Sequence, residues 1–500
     1  MSLGDSVPVY HQTGWEPSSI PFLELAIGLS LFVFSWEFYL GLRQHKLFKV
    51  KEIPEALLSV CKDVDKQAND DPKTEDAKDD AAMPLLADDD KKSKKELTEK
   101  EKEEEAERKL PLVERVERKF AKAQAYGLDK STFGFIESSI DMVLDTGLLL
   151  VGFMPYLWDT AERVAEKMGV DPATSEVRVS LIFFLLNYII SDIYHIPFSL
   201  YRTFVIEEKH GFNKMTMKLY ITDKIKGYVL TTVLGGLFLG AVIWVIRWGG
   251  ELFYLYAWLF STAVMLFMMT IYPVLIAPLF NKYEALPEGS LKSKIEDLAA
   301  RVKFPLTKLY TVDGSKRSAH SNAYMYGFYK NKRIVLYDTL LKQAKEEEIV
   351  AILGHELGHW KMWHTIQGLV VTLVYTFVML YTFGFVMNNN DLYNSFGFST
   401  TKPYKPVIIG ITLFSQTLWA VVGHIVGFLM NINSRRNEFQ ADKFAVDLGY
   451  SSELQRGLIK IHIENLGTMN PDPWFVMYHY THPATVERLK AMQLADKKAK

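Results

Sequence analysis

Seven apolar stretches, at residues 20–42, 136–158, 179–201, 227–246, 252–280, 366–387 and 406–430, constrain this chain more than any other feature. Each can cross about 30 Å of hydrocarbon as a helix, and helices are one of only two structures that satisfy their backbone polar groups there. The chain is 49% hydrophobic, and its net charge of −2 conceals a strong segregation of charged residues from the apolar runs. An all-α polytopic membrane protein is therefore expected, with its water-soluble parts confined to the connections.

Several spans carry ionisable side chains: Glu24 and Glu37, Asp141 and Asp145, Asp192 and His195, and His424. Facing lipid, each would cost several kcal/mol, so they are expected to face the bundle interior, a wet cavity or the interface. Singly, each is explained equally well by an interfacial position or a helix-to-helix hydrogen bond. As a set they imply a bundle that encloses water. Arg202, Lys209, Lys214, Lys218, Lys224 and Lys226 follow the third span, whereas the loop before it holds only Arg163 and Lys167. The positive-inside rule then puts the N-terminus outside and the C-terminus in the cytosol. The first span is too long, and too poor in preceding basic residues, for a cleaved signal, so it is expected to remain as a helix. The end of the chain, Lys497-Lys498-Ala499-Lys500, resembles a dilysine retrieval signal for the endoplasmic reticulum, with an ordinary charged tail as the alternative.

This pattern divides the chain into an N-terminal tail and first span (1–61), a charged insertion (62–109) and four further spans (110–280). A cytosolic region (281–365), the last two spans (366–430) and a cytosolic C-terminal region (431–500) follow. The insertion, with blocks such as Asp88-Asp89-Asp90-Lys91-Lys92, is expected to be largely disordered. A single cysteine, Cys61, excludes an intrachain disulfide and leaves little room for thiolate metal ligation. There is no internal repeat and no nucleic-acid-binding motif, so no nucleic-acid partner is expected.

Chemistry concentrates at His355-Glu356-Leu357-Gly358-His359. On a helix the two histidines lie one turn apart on one face and can bind one Zn²⁺, while Glu356, about 100° round, can reach a water on it. The preceding run, acidic at Glu346-Glu347-Glu348 and then apolar at helical spacing, predicts that helix. A catalytic zinc needs a third protein ligand. The extended motif with a third histidine fails, because Thr365 stands at that position; His364 is one residue out of register and is expected at the membrane edge. Glu438 from the later segment Ser434-Arg435-Arg436-Asn437-Glu438-Phe439-Gln440-Ala441-Asp442 is the preferred third ligand. Asp442, one turn further, is placed to accept the spare N–H of a ligating histidine. Strand-like patterns at 308–312, 322–328 and 333–337, with a turn at 329–331, predict a β-hairpin before the metal helix; its edge could hold an extended peptide. Near the end of the chain, His482-Pro483 opens the final predicted helix.

HELGHW, SRRNEFQAD, SAHSNAYMYGF, FVIEEKHGFNKMT, IAPLFNKYEALP and THPATVERL together resemble the integral-membrane zinc CAAX prenyl endopeptidases of type 1. The resemblance covers the first span and then residues 123–494, leaving out the insertion. It implies seven transmembrane helices enclosing a chamber, with a zincin-like domain containing a small β-hairpin, in the endoplasmic reticulum or inner nuclear membrane. It further implies one zinc held by His355, His359 and Glu438, with Glu356 as base and proton shuttle. Asn322 and His482 would contact the substrate backbone and oxyanion, and Arg488 would support the site. The substrates implied are prenylated C-a-a-X proteins, cut to release their last three residues, with a second upstream cleavage in some. Two other readings remain at this point: a membrane quality-control zinc protease, and a non-enzymatic transporter or scaffold with a relic site.

Overall fold

The computed structural model describes residues 20–70, 106–327, 331–398 and 405–499. The first span is α1 (Phe22–Phe48), followed by α2 (Glu55–Asp70). Four helical units then cross back and forth: α3 (Leu112–Leu150) with α4 (Phe153–Lys167), α5 (Glu176–Tyr201), α6 (Met217–Leu230) with α7 (Gly236–Trp248), and α8 (Phe253–Ile271). The soluble part contains β1 (Tyr283–Ala285), α9 (Ser290–Val302), β2 (Leu306–Val312), β3 (Ala323–Tyr326), β4 (Lys332–Tyr337), α10 (Asp338–Gln343) and α11 (Glu346–Lys361). α12 (His364–Val386), α13 (Asn390–Asn394), α14 (Val407–Gln416) and α15 (Leu418–Asp447) return through the bundle. α16 (Ser451–Glu464), α17 (Pro473–His479) and α18 (Thr485–Ala499) complete the chain.

Among the described residues, five helical stretches are long and apolar enough to span a membrane, and the number is seven if each of two bent pairs, α3 with α4 and α14 with α15, counts as one span. The bends, of 65° and 54°, fall inside stretches that read as continuous spans in the sequence. Gly152 makes the first by taking a left-handed conformation, φ 67°, which glycine adopts without Cβ strain. The second is at Thr417, φ −110° and ψ −93°, whose hydroxyl donates back to the Leu413 carbonyl at 2.7 Å.

In their most apolar windows the five single spans bury between 0% and 28% of their residues. Helices packed into a solid bundle would bury one whole face. Such low burial is what a wall one helix thick gives, open on both sides. Two of the ionisable groups noted in the sequence are partnered between helices: Tyr194 donates to Asp141 at 2.7 Å, and Lys224 pairs with Asp192 at 2.6 Å.

The sheet has the order β1-β2-β4-β3, with β2 and β4 parallel and the other pairs antiparallel. The hairpin of β3 and β4 forms as its alternation predicts, with Ala323 opposite Leu336, and leaves β3 as an edge. Residues 328–330 of its turn lie outside the described residues. β4, with Ile334, Val335 and Leu336 buried, joins α11 and the inner faces of α9, α15, α16 and α18 in one core.

α2 differs from expectation. Its face of Leu57, Val60, Cys61 and Val64 is buried in that same core, and the helix runs to Asp70, inside the stretch expected to be disordered. Asp65 shows why: its carboxylate accepts the N–H groups of Leu112 and Val113, at 3.0 and 3.1 Å, and so caps α3 from another segment. Residues 71–105 of the insertion lie outside the described residues, as do the N-terminal tail to residue 19 and the terminal lysine of the dilysine pattern.

Candidate metal centre

α11 begins with Glu346, Glu347 and Glu348, which complement the positive end of the helix dipole, and the Glu348 carboxylate accepts the Lys345 N–H at 2.9 Å. Its inner face packs on α15, and the close approach is set by Gly358, where a Cβ would stand 3.1 Å from the Ala441 Cα. Without that glycine the two backbones could not come this near. The result is that α15 carries Glu438 to the histidine pair.

His355, His359 and Glu438 form a group whose ligand atoms lie within 4.8 Å of one another. The two Nε2 atoms are 3.2 Å apart, His359 Nε2 is 3.2 Å from Glu438 Oε1, and His355 Nε2 is 3.5 Å from Glu438 Oε2. Ligands about 2.0–2.1 Å from a tetrahedral ion stand about 3.3 Å from each other, so the spacing suits zinc. Donor chemistry agrees. His355 Nδ1–H donates to Asp442 at 2.8 Å, which leaves a lone pair on Nε2 facing the other ligands. Glu438 is 4% exposed, and its Oε2 accepts no well-aligned hydrogen bond. A buried carboxylate oxygen and imidazole lone pairs converging on one point fit a cation and little else.

The surroundings hold that carboxylate in place. Arg488 grips Asp442 with a two-pronged contact, Nε to Oδ2 at 2.8 Å and Nη2 to Oδ1 at 2.7 Å, and its Nη1 lies 3.2 Å from Glu438 Oε2. Although burial opposes it, the Arg488 charge and its hydrogen bond, with that from His355, pull Asp442 down to about 2. Asp442 thus stays anionic and fixes the His355 tautomer. Burial pushes Glu356 the other way, above the ordinary carboxylate range, with the nearby histidines opposing. A raised carboxyl beside a metal site is suited to take up a proton and give it back.

Of the other residues singled out in the sequence, His482 joins the cluster, its Nε2 3.4 Å from Glu438 Oε1, with its side chain 63% exposed toward open space. Burial lowers its pKa. Asn322 does not join it. It is exposed at the entry to β3, its Oδ1 accepting the Ala323 N–H at 2.8 Å and its carbonyl accepting the Tyr337 N–H at 3.1 Å. His364 departs from expectation: it is 7% exposed and turned inward, its Nδ1 2.9 Å from His359 Nδ1 and its Nε2 2.9 Å from Gln440 Oε1. The sequence reading missed both partners because a break in the helix separates His364 from His359. The near-miss of His364 to a third-ligand position was the only available signal.

A multi-helix membrane chain with an HExxH helix, a distant glutamate and an edge strand defines an integral-membrane peptidase of the metal-dependent kind. The comparisons give the family. The model "CAAX prenyl protease N-terminal, five membrane helices" matches residues 109–282, and the model "Peptidase family M48" matches residues 285–495. The chain is 42% identical over 481 residues to the CAAX prenyl protease 1 homolog of Arabidopsis thaliana, covering 96% of this chain and 99% of that one. It is 40% identical over 411 residues to the Homo sapiens CAAX prenyl protease 1 homolog, covering 75% and 86%. The crystal structure of S. mikatae Ste24p superposes with a TM-score of 0.76 at 32% identity, over 95% of this chain and 100% of that one. The chain belongs to the M48 peptidase family, in its CAAX prenyl protease 1 branch.

Proposed function

We propose that this protein is a zinc metalloendopeptidase of the endoplasmic reticulum membrane that removes the last three residues of prenylated C-a-a-X proteins. A second cleavage further upstream in some substrates belongs to the same reading. The observation that carries it is the convergence of His355, His359 and Glu438 beside Glu356 in a chain whose described helices include five to seven candidate membrane spans. The names of the relatives, CAAX prenyl protease 1 homologs, support the substrate class. The greasy prenyl chain explains why a hydrolase would be built into the bilayer. The excess of basic residues after the third span supports an active site turned to the cytosol.

His355, His359 and Glu438 would hold the zinc, which supplies Lewis acidity and brings the pKa of a water to about 7. Glu356, raised by burial, takes the proton from the attacking water and passes it to the leaving amine. Asp442 keeps His355 oriented, and Arg488 keeps Asp442 ionised. Asn322 holds the substrate backbone along the free edge of β3. His482 is placed to donate its N–H to the oxygen that becomes negative as the carbonyl is attacked.

The test is a cleavage assay on a farnesylated peptide and its unprenylated twin, with and without a chelator. Zinc-dependent cleavage of the farnesylated peptide alone is expected. Equal rates on both would favour a quality-control protease instead. Glu356→Gln should retain zinc and lose about a hundredfold to ten-thousandfold in turnover, given what positioned acid–base groups contribute; full turnover by this variant would remove the mechanism.

A further inference from the structure

We infer that His364, backed by Gln440, is the positioning residue that orients His359 for metal binding; the inference rests on the zinc reading above. His359 directs Nε2 at His355 and Glu438, so its proton sits on Nδ1. That Nδ1–H points at His364 Nδ1, 2.9 Å away, which must then accept. The remaining His364 proton is on Nε2, and Nε2–H donates to Gln440 Oε1 at 2.9 Å. The three contacts agree on one assignment: amide oxygen, ring, ring, ligand lone pair. Gln440 ends the relay with an acceptor that carries no charge. A neutral chain therefore backs His359, whereas the carboxylate of Asp442 backs His355.

The backbone is bent to make this contact. α11 ends at Lys361, and Trp363 takes a left-handed conformation, φ 62° and ψ 25°, before α12 starts at His364. A non-glycine residue there costs about 1–2 kcal/mol. Trp363 itself is 67% exposed and gains no burial from it. What the turn achieves is to lay the His364 ring against that of His359, centroids 5.1 Å apart, and within reach of α15. α15 thereby supplies the third ligand, the partner of His355 and, through Gln440, the far end of the chain behind His359.

The test measures zinc affinity of the purified full chain by chelator competition, together with the melting temperature of the metal-stripped protein. Loss of an outer-sphere partner weakens metal binding about 10–100-fold, so His364→Leu should fall in that range, Gln440→Leu by about threefold to tenfold, and His364→Asn, which keeps an acceptor at the Nδ1 position, within about threefold of wild type. With cobalt in place of zinc, the visible absorption bands should shift in His364→Leu and not in His364→Asn. His364→Leu within about twofold of wild type would overturn the inference. So would an Asn variant as weak as the Leu variant with the metal-stripped protein equally destabilised, since His364 would then be a packing residue only. Should His364→Leu fail to fold, Gln440→Leu decides alone: unchanged affinity overturns the relay. His359→Ala is the control for the reading beneath; if it keeps zinc, the zinc site is misassigned rather than the relay.

Discussion

Replacing Gly358 by alanine tests the packing that assembles the metal centre. The added Cβ would lie 3.1 Å from the Ala441 Cα and 3.2 Å from two atoms of Phe444, where ordinary contact begins near 3.4 Å and extends to 4 Å. Ala441 is backbone in the middle of a helix and has no rotamer to change, so α15 itself must move, by about 0.3–0.9 Å if it is to reach ordinary contact. Metal-site distances tolerate about 0.2 Å. Glu438 and Asp442 flank Ala441 and move with it. Alanine also removes a helix-interior glycine, a gain of about 0.8–1.0 kcal/mol, against an overpacking cost of about 1–3 kcal/mol. Net destabilisation of up to about 2 kcal/mol is expected, with zinc affinity reduced at least about tenfold. Gly354→Ala is the matched control one turn earlier: its Cβ would meet Tyr450 and Ala445 at 3.6 and 3.8 Å, ordinary contact, so it should gain stability and keep zinc. The assay is zinc per chain after dialysis, with thermal unfolding of both variants. If Gly358→Ala holds zinc as well as Gly354→Ala does, the close approach of α11 and α15 does not set the site.

Further expectations concern the supports around the centre. Asp442→Ala removes the two-pronged partner of Arg488, which is 8% exposed; a loss of about 3–5 kcal/mol is expected, read by thermal unfolding, and an unchanged melting temperature would refute it. The Cys61 thiol is buried and pushed up to about 12 by burial, so iodoacetamide at pH 8 should leave the folded protein unmodified and label it fully in denaturant. Asp65→Ala removes the cap on α3 and should lower stability by about 1–2 kcal/mol, whereas Asp65→Asn should restore part of it.

Much of this was legible because the signals are averages over many residues. Hydropathy over about twenty positions locates the spans, and i, i+4 spacing places His355 with His359 and Glu438 with Asp442. The bends were not legible, since each depends on the backbone angles of one residue, Gly152 or Thr417, which a window smooths away. β1 is three residues long, too short for alternation to show, and takes its place only by pairing with β2. α2 reads as charged and solvent-loving because its polar face outnumbers the four buried residues that hold it to the core. His364 was misjudged for a geometric reason: no regular helix brings residues five apart into ring contact, and the left-handed Trp363 does.

The bend at Thr417 turns α15 into a lever. From that point the helix runs unbroken to Glu438, about 30 Å at 1.5 Å per residue, so a tilt of one degree at its membrane-embedded foot would swing the carboxylate by about 0.5 Å. A rod that long cannot aim its tip by stiffness at the fulcrum alone. It has to be latched at the far end, and the fork of Arg488 on Asp442 together with the glycine seam against α11 are the latch. Movement at the foot is thereby kept from reaching the spacing of His355, His359 and Glu438 as long as the latch stays shut.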